Sequence, residues 1–171
     1  DLEQVMRITL DWSLRQSEAD AGLIGLFESS GESTPGIRVM AYHGYTMELD
    51  RFRASEENAP LIPFEALALR KVLEEGFPHR MSFNVSEHSH SPEAEDGHVT
   101  QVPSKIEAFA LLQDAREMVT VPIRRKAEVI GALLLESKER ERFTDEIIAF
   151  LSRLSDHAAI AISNAQLYAD L

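Results

Sequence analysis

Apolar positions change rhythm several times along this chain, and each change marks an element. Leu2, Val5, Met6, Ile8, Leu10, Trp12 and Leu14 recur without Pro or Gly, which predicts a helix over residues 2–16. They spread over more than one side of it, as expected of a helix packed on both sides. Residues 21–27 (AGLIGLF), between Asp20 and Glu28, have the pattern of a buried strand. Ser, Gly and Pro at 29–36 predict a hairpin loop, and 37–42 a second strand closed by His43 and Gly44.

The middle is less regular. Short helices are predicted over 48–54 and 65–75, the second stopped by Gly76 with Pro78 beyond. Residues 80–85 predict a short strand and 106–113 a short amphipathic helix. Between them, residues 86–104 hold His, acids and two prolines but no Lys or Arg, and predict an exposed loop. The last third is the most regular. Residues 118–124 (MVTVPIR) predict a strand ended by Pro122, 125–128 a polar turn, and 129–135 (VIGALLL) an almost wholly apolar strand.

A long helix then opens at residues 143–146. Thr144 is placed to cap the free amides, Asp145 and Glu146 suit the positive end of the dipole, and Phe143 can staple onto Ile148. Ile147, Leu151, Leu154, Ala158, Ala161, Ala165 and Tyr168 repeat in alternating steps of four and three, a heptad seam and a candidate dimer interface. Phe150, Ile160, Leu167 and Leu171 lie off the seam. One set must pack on the sheet, and the other needs a partner: a second copy, or the N-terminal helix of the same chain.

Length and composition narrow the class. The 171 residues fit a single domain, 1–171, and the start at Asp1 leads us to expect a fragment of a longer multidomain protein. Seventeen basic against 29 acidic residues give a net charge of −12, which disfavours nucleic acid as a partner. No apolar run is long enough to span a bilayer, and charges interrupt residues 1–20 where a signal peptide would be apolar. The absence of cysteine excludes disulfides, thiolate metal sites and thiol catalysis, and fits a cytoplasmic location.

Three segments, ADAGLIGLFE at 19–28, VPIRRKAEVIGALLLES at 121–137, and FTDE at 143–146 through HAAIAISNAQLY at 157–168, resemble the GAF domain, a sensor module of signalling proteins. The resemblance implies an α+β, PAS-like fold: a central antiparallel sheet of five to six strands, N- and C-terminal helices on one face, and short helices and loops over the other. It also implies a small-molecule site beneath those short helices. Several branches of the family are ruled out or weakened by departures in this chain. A covalent bilin needs a cysteine, as does free methionine sulfoxide reduction. Cyclic-nucleotide binders carry Asn-Lys, then Phe, then Asp-Glu, whereas Ser137-Lys138 stands in the first place here and Phe143 is one residue from Asp145-Glu146.

Candidate chemistry is sparse. His88, His90 and His98, among Glu87, Glu93, Glu95 and Asp96, are the residue types of a zinc or nickel site, but ordering them in a polar loop is costly. His79 and His43 are the best-placed histidines for haem iron, and each is expected instead to be a surface or hydrogen-bonded group; His157, near Asp156 in the last helix, is expected to be partner-facing or solvated. No Gly-x-Ser-x-Gly elbow, phosphate-binding glycine loop or His-Glu-x-x-His is present.

Strand alternation puts Leu23, Gly25 and Phe27 on one side and Gly22, Ile24 and Leu26 on the other. The first set is expected to face the pocket, with Met40, Tyr42, Phe83, Ile106, Phe109 and Thr120 as companions. Gly25 would leave room there for a ligand or a bulky neighbour. Such an apolar pocket suits a small aromatic or mostly nonpolar compound. The expected function is a non-catalytic regulatory sensor without a resident cofactor. It would be homodimeric through its terminal helices and relay an effector's binding to an output domain in the same chain. A dimerisation or spacer module without ligand is the alternative.

Overall fold

The computed structural model describes residues 1–29, 35–45, 49, 52, 60–64, 68–85, 90–93 and 111–169, with backbone alone at 84–85 and 90–93. Its elements are α1 (Leu2–Ser17), β1 (Ala21–Glu28), β2 (Gly36–His43), β3 (Ile62–Pro63), α2 (Leu69–Glu75), β4 (His79–Val85), β5 (His90–Glu93), β6 (Glu117–Arg125), β7 (Glu128–Ser137) and α3 (Asp145–Ala169). The strands form one antiparallel sheet in the order β3-β2-β1-β7-β6-β4-β5. The α+β architecture is the expected one. The sheet has seven strands because two short edge strands extend it.

One of these edges corrects the loop expected over 86–104. His90–Glu93 pairs with residues 82–85 of β4. An edge strand needs only backbone pairing on one side, so it carries no apolar alternation and tolerates Pro92.

Alternating side chains of the sheet feed two cores. On β7, Leu133 and Leu135 join Val119, Val121 and Ile24 beneath α1 and α3. Ala132 and Leu134 join Leu23, Met118 and Phe83 on the other face, under α2. Both faces are covered, which is why 129–135 is apolar throughout. Gly131 permits close strand approach: a Cβ there would lie 2.3 Å from the Gly25 carbonyl oxygen.

Pro122 does not end β6, which continues through it to Arg125 with Pro122 opposite Ala132. The pairing of β4 with β6 stops at His79 and Thr120, so Pro122 lies just past β4, where a missing N–H costs no ladder bond.

The short helix α2 starts at Leu69, after Ala68 in the left-handed region, and stops as expected at Gly76 (φ 72°), whose N–H bonds the Val72 carbonyl at 2.8 Å. The helix expected at 48–54 lies outside the described residues except for Leu49 and Phe52. Of the one expected at 106–113, residues 111–113 form turns, and 106–110 lie outside the described residues.

The terminal helices pack through small residues. Thr9, Ser13 and Ser17 of α1 are buried, each hydroxyl donating to the carbonyl four residues earlier. Ser155, Ala158 and Ala159 are buried on α3. The three α1 hydroxyls, satisfied this way, bury cheaply and let the two backbones come close, whereas the buried Ser155 hydroxyl has no partner among the described residues. The expectation that α1 packs on both sides is therefore wrong within the chain, since Ile8 and Trp12 are each 49% exposed.

Candidate functional site

β1 determines which residues can meet on the inner sheet face, the one away from α1 and α3. Leu23 is fully buried there, and Phe27 stacks edge-on against Phe64 with ring centroids 4.9 Å apart. Phe83 is also fully buried in this cluster, and Tyr42 packs against it partly exposed. Thr120, opposite Leu134 on β6, is buried. Ile106 and Phe109 lie outside the described residues.

Met40 is on the other face, a correction with a clear cause. The β1–β2 register shifts so that Ile24 pairs with Ala41 and Gly25 with Val39, leaving Met40 as the extra residue of a bulge. Met40 and Ala41 therefore both join the core beneath the helices. Gly25 leaves no room for a ligand either. A Cβ there would meet the Arg38 carbonyl oxygen at 2.3 Å and the Ile37 side chain at 2.8 Å, so the neighbouring strand takes the space.

A cleft of about 580 Å³ opens at the end of the sheet, where the N-terminus of α1, the C-terminal end of α3 and the β6–β7 hairpin converge. Phe27, Met40, Phe64 and Leu73 supply apolar lining, and Arg38 and Arg125 bring charge. Arg38 pairs with Glu28, and Arg125 donates to Gln166 of α3 at 2.9 Å. A molecule in this cleft would touch the inner face and both terminal helices at once.

The heptad seam is divided by the structure. Leu151 and Ala158 face the core, Ile147, Leu154, Ala161 and Ala165 are half-buried, and Tyr168 is exposed. The open ridge of α3 is formed instead by Ile160 and Leu167, 62% and 66% exposed. Alternating steps of four and three also describe a helix resting on its own sheet, which is how Leu151 and Ala158 came to be included.

The histidines are scattered. His79 Nε2 lies 3.0 Å from Glu75, and His43 and His157 are exposed. The side chains of His88, His90 and His98 lie outside the described residues.

Two buried carboxyls were missed by sequence patterning. Glu117 accepts from the amides of Phe143 (2.7 Å) and Glu141 (3.0 Å), fixing the approach to α3. Glu136, fully buried on the inner face, accepts from the Tyr45 hydroxyl at 2.5 Å, while its Oε1 has no partner of normal geometry. Burial pushes its pKa up to about 7, against the lowering pull of Tyr45 and the nearby Leu112 and Leu111 amides. Burial, then the Glu136 charge, raises Tyr45 well above its ordinary value. The available signal was position: Glu136 is in phase with Ala132 and Leu134 on a strand apolar on both faces.

A sheet with long terminal helices on one face and an apolar face turned to short elements is the build of a small sensory or regulatory module. The chain belongs to the GAF family, since the family's GAF-domain model matches residues 1–163. GAF domains are sensory and regulatory modules of signalling proteins. The chain is similar to the GAF domain/HD domain protein from Geobacter sulfurreducens, at 19% identity and TM-score 0.68 over 98% of this chain and 95% of that one. It is likewise similar to the second GAF domain of DevS from Mycobacterium smegmatis (18% identity, TM-score 0.64, 99% of each chain). One similar structure is an enzyme, the type II free methionine-R-sulfoxide reductase from Thermoplasma acidophilum (14% identity, TM-score 0.60, 96% of each chain). These likenesses show the fold. No curated protein matches the chain. No helix among the described residues is long and apolar enough to cross a membrane.

Proposed function

We propose that this chain is a non-catalytic regulatory domain that binds a small, mostly nonpolar effector on the inner sheet face and relays the event through α1 and α3 to an output domain. The observation that carries this is the sharing of strands between the two cores. Neighbouring residues of β7 point alternately into the inner cluster and into the one beneath α3. A shift that accommodates an effector moves the floor on which α3 rests. Relay requires that the effector bind two packing states with different affinity. The end cleft is the entrance we favour, because Phe27 and Leu73 reach it from the inner side and Leu2 and Gln166 from the helices.

Without cysteine the chain cannot carry a covalent bilin or repeat thiol-based reduction, and we assign it no resident cofactor. Nucleic acid and membrane are not among the proposed partners. A second reading, a spacer or dimerisation module without ligand, is favoured by the tight packing of Leu23, Ile37, Val39, Phe83 and Leu134, each fully buried. Native mass spectrometry of the purified chain, followed by a thermal-shift screen of small aromatic compounds, separates the two. A bound or stabilising compound whose effect is lost in Phe27→Asp supports the sensor. A screen without stabilisation, on a protein carrying no extra mass, leaves the spacer.

A further inference from the structure

Glu136 has an environment that a purely structural carboxyl would avoid. It sits near the C-terminal end of β7, opposite Ala21 of β1 and Met118 of β6, with its carboxyl on the inner face. Tyr45, just past β2, reaches across with its hydroxyl. Tyr45 is partly exposed and packs against Ala21, Leu112 and Ala115, while its hydroxyl is buried. The turn at 111–115, held by the Ala115 N–H to Leu112 carbonyl bond of 3.2 Å, closes the third side. The carboxyl thus ties two segments that are far apart in sequence to the central strand.

No cation compensates it among the described residues. Asp20, His43, Asp114, Arg116 and Lys138 belong to the surrounding segments, but all are exposed. Glu117 points to the opposite sheet face, where it holds Phe143 and Glu141. Tyr45 is the titratable group that acts on Glu136, and a tyrosine hydroxyl brings no positive charge. One carboxyl oxygen has no hydrogen bond of normal geometry, and only the nearby Leu112 and Leu111 amides act on the carboxyl from the turn. An ionised carboxylate in that position is poorly solvated, so its charge favours any opening that admits water.

We propose that Glu136 and Tyr45 form a proton-operated latch: the protonated carboxyl holds the exit of β2 and the 111–115 turn together against β7, and loss of the proton releases both. The latch supplies an input, pH in the neutral range, independent of any effector. Its direction follows from linkage. With the closed carboxyl titrating near 7 and the open one at the ordinary 4.5, the open fraction grows about ten-fold between pH 6 and pH 8.

The test is amide hydrogen exchange by NMR on the chain at pH 6 and pH 8, corrected for intrinsic base catalysis. Leu111, Leu112 and Ala115 are the reporters, and the paired amides of β1 and β7 are the reference. The latch predicts about ten-fold more opening of the reporters at the higher pH, a change of less than two-fold in the reference, and no pH effect in Glu136→Gln. A second readout needs no disruptive variant: the Glu136 carboxyl carbon should titrate near neutrality, and its midpoint should rise in Tyr45→Phe, which removes a hydrogen bond that favours the charged form. A Glu136 midpoint near 4.5, or reporter opening with the same pH dependence in wild type and Glu136→Gln, overturns the proposal.

Discussion

Glu117 and Glu136 lie on adjacent strands and point to opposite faces, and the two carboxyls behave differently for that reason. Glu117 meets two backbone amides, so its oxygens are hydrogen-bonded where they lie. Replacing it with Ala leaves the buried Phe143 amide without an acceptor, and we expect a loss of about 2–4 kcal/mol, read as a lower urea midpoint at unchanged m-value. Glu136 has a folded pKa raised from 4.5 to about 7, so the folded chain holds that proton more tightly than the unfolded one. This stability is fully present below about pH 4.5 and is lost as pH rises through about 7. Between pH 5 and pH 8 the loss is about 2–3 kcal/mol, so urea unfolding at the two pH values should differ by that amount in wild type. In Glu136→Gln the difference should vanish; a difference that persists would place the responsible proton elsewhere.

Elements were legible wherever both sides of a strand or a helix end left a local mark. At the start of α3, the Thr144 hydroxyl oxygen accepts from the Ile147 amide at 3.2 Å, as the spacing of Thr144 from Phe143 and Ile148 implied. Thr144→Ala should cost about 1 kcal/mol in thermal unfolding, and Thr144→Asp close to nothing. The paired strands β6 and β7 were legible for the same reason, although β6 runs past the Pro122 expected to end it. Gly131→Ala should cost about 3 kcal/mol by the same measurement, because the added methyl meets a backbone carbonyl that has no rotamer to escape to. What the pattern hid was set by tertiary contact. Met40 changed faces because of a bulge that its own residues do not announce. Thr9, Ser13 and Ser17 form the buried stripe of α1 although their side chains are polar, because each hydroxyl is satisfied within the helix. Leu23, Phe27 and Phe83 share the inner cluster, Gly25 serves strand packing, and the polar pair at Glu136 was overlooked.

At the scale of the molecule, the question is what covers the open side of the terminal helices. These run antiparallel, since Leu2 and Gln166 line one cleft and Glu18 pairs with Arg142 at the far end. Six residues along each helix from the cleft, Ile8 comes level with Ile160. Ile160 and Leu167 are seven apart on one side of α3, and Ile8 and Trp12 four apart on one side of α1, so each helix carries an exposed apolar stripe. We expect a second copy to cover these stripes. Ile160→Glu combined with Leu167→Glu should then give a folded monomer in sedimentation equilibrium, whereas Leu151→Glu, inside the core, should unfold the chain. Each copy carries a net charge of −12, so association opposes long-range repulsion that salt removes. Lengthwise screening changes steeply here, from a Debye length of about 30 Å at 0.01 M salt to about 8 Å at 0.15 M. The dimer should therefore tighten as salt is added, the reverse of an interface built on ion pairs. If the unaltered chain stays monomeric at high concentration and moderate salt, the stripes are not a self-contact, and the expectation of a second copy fails.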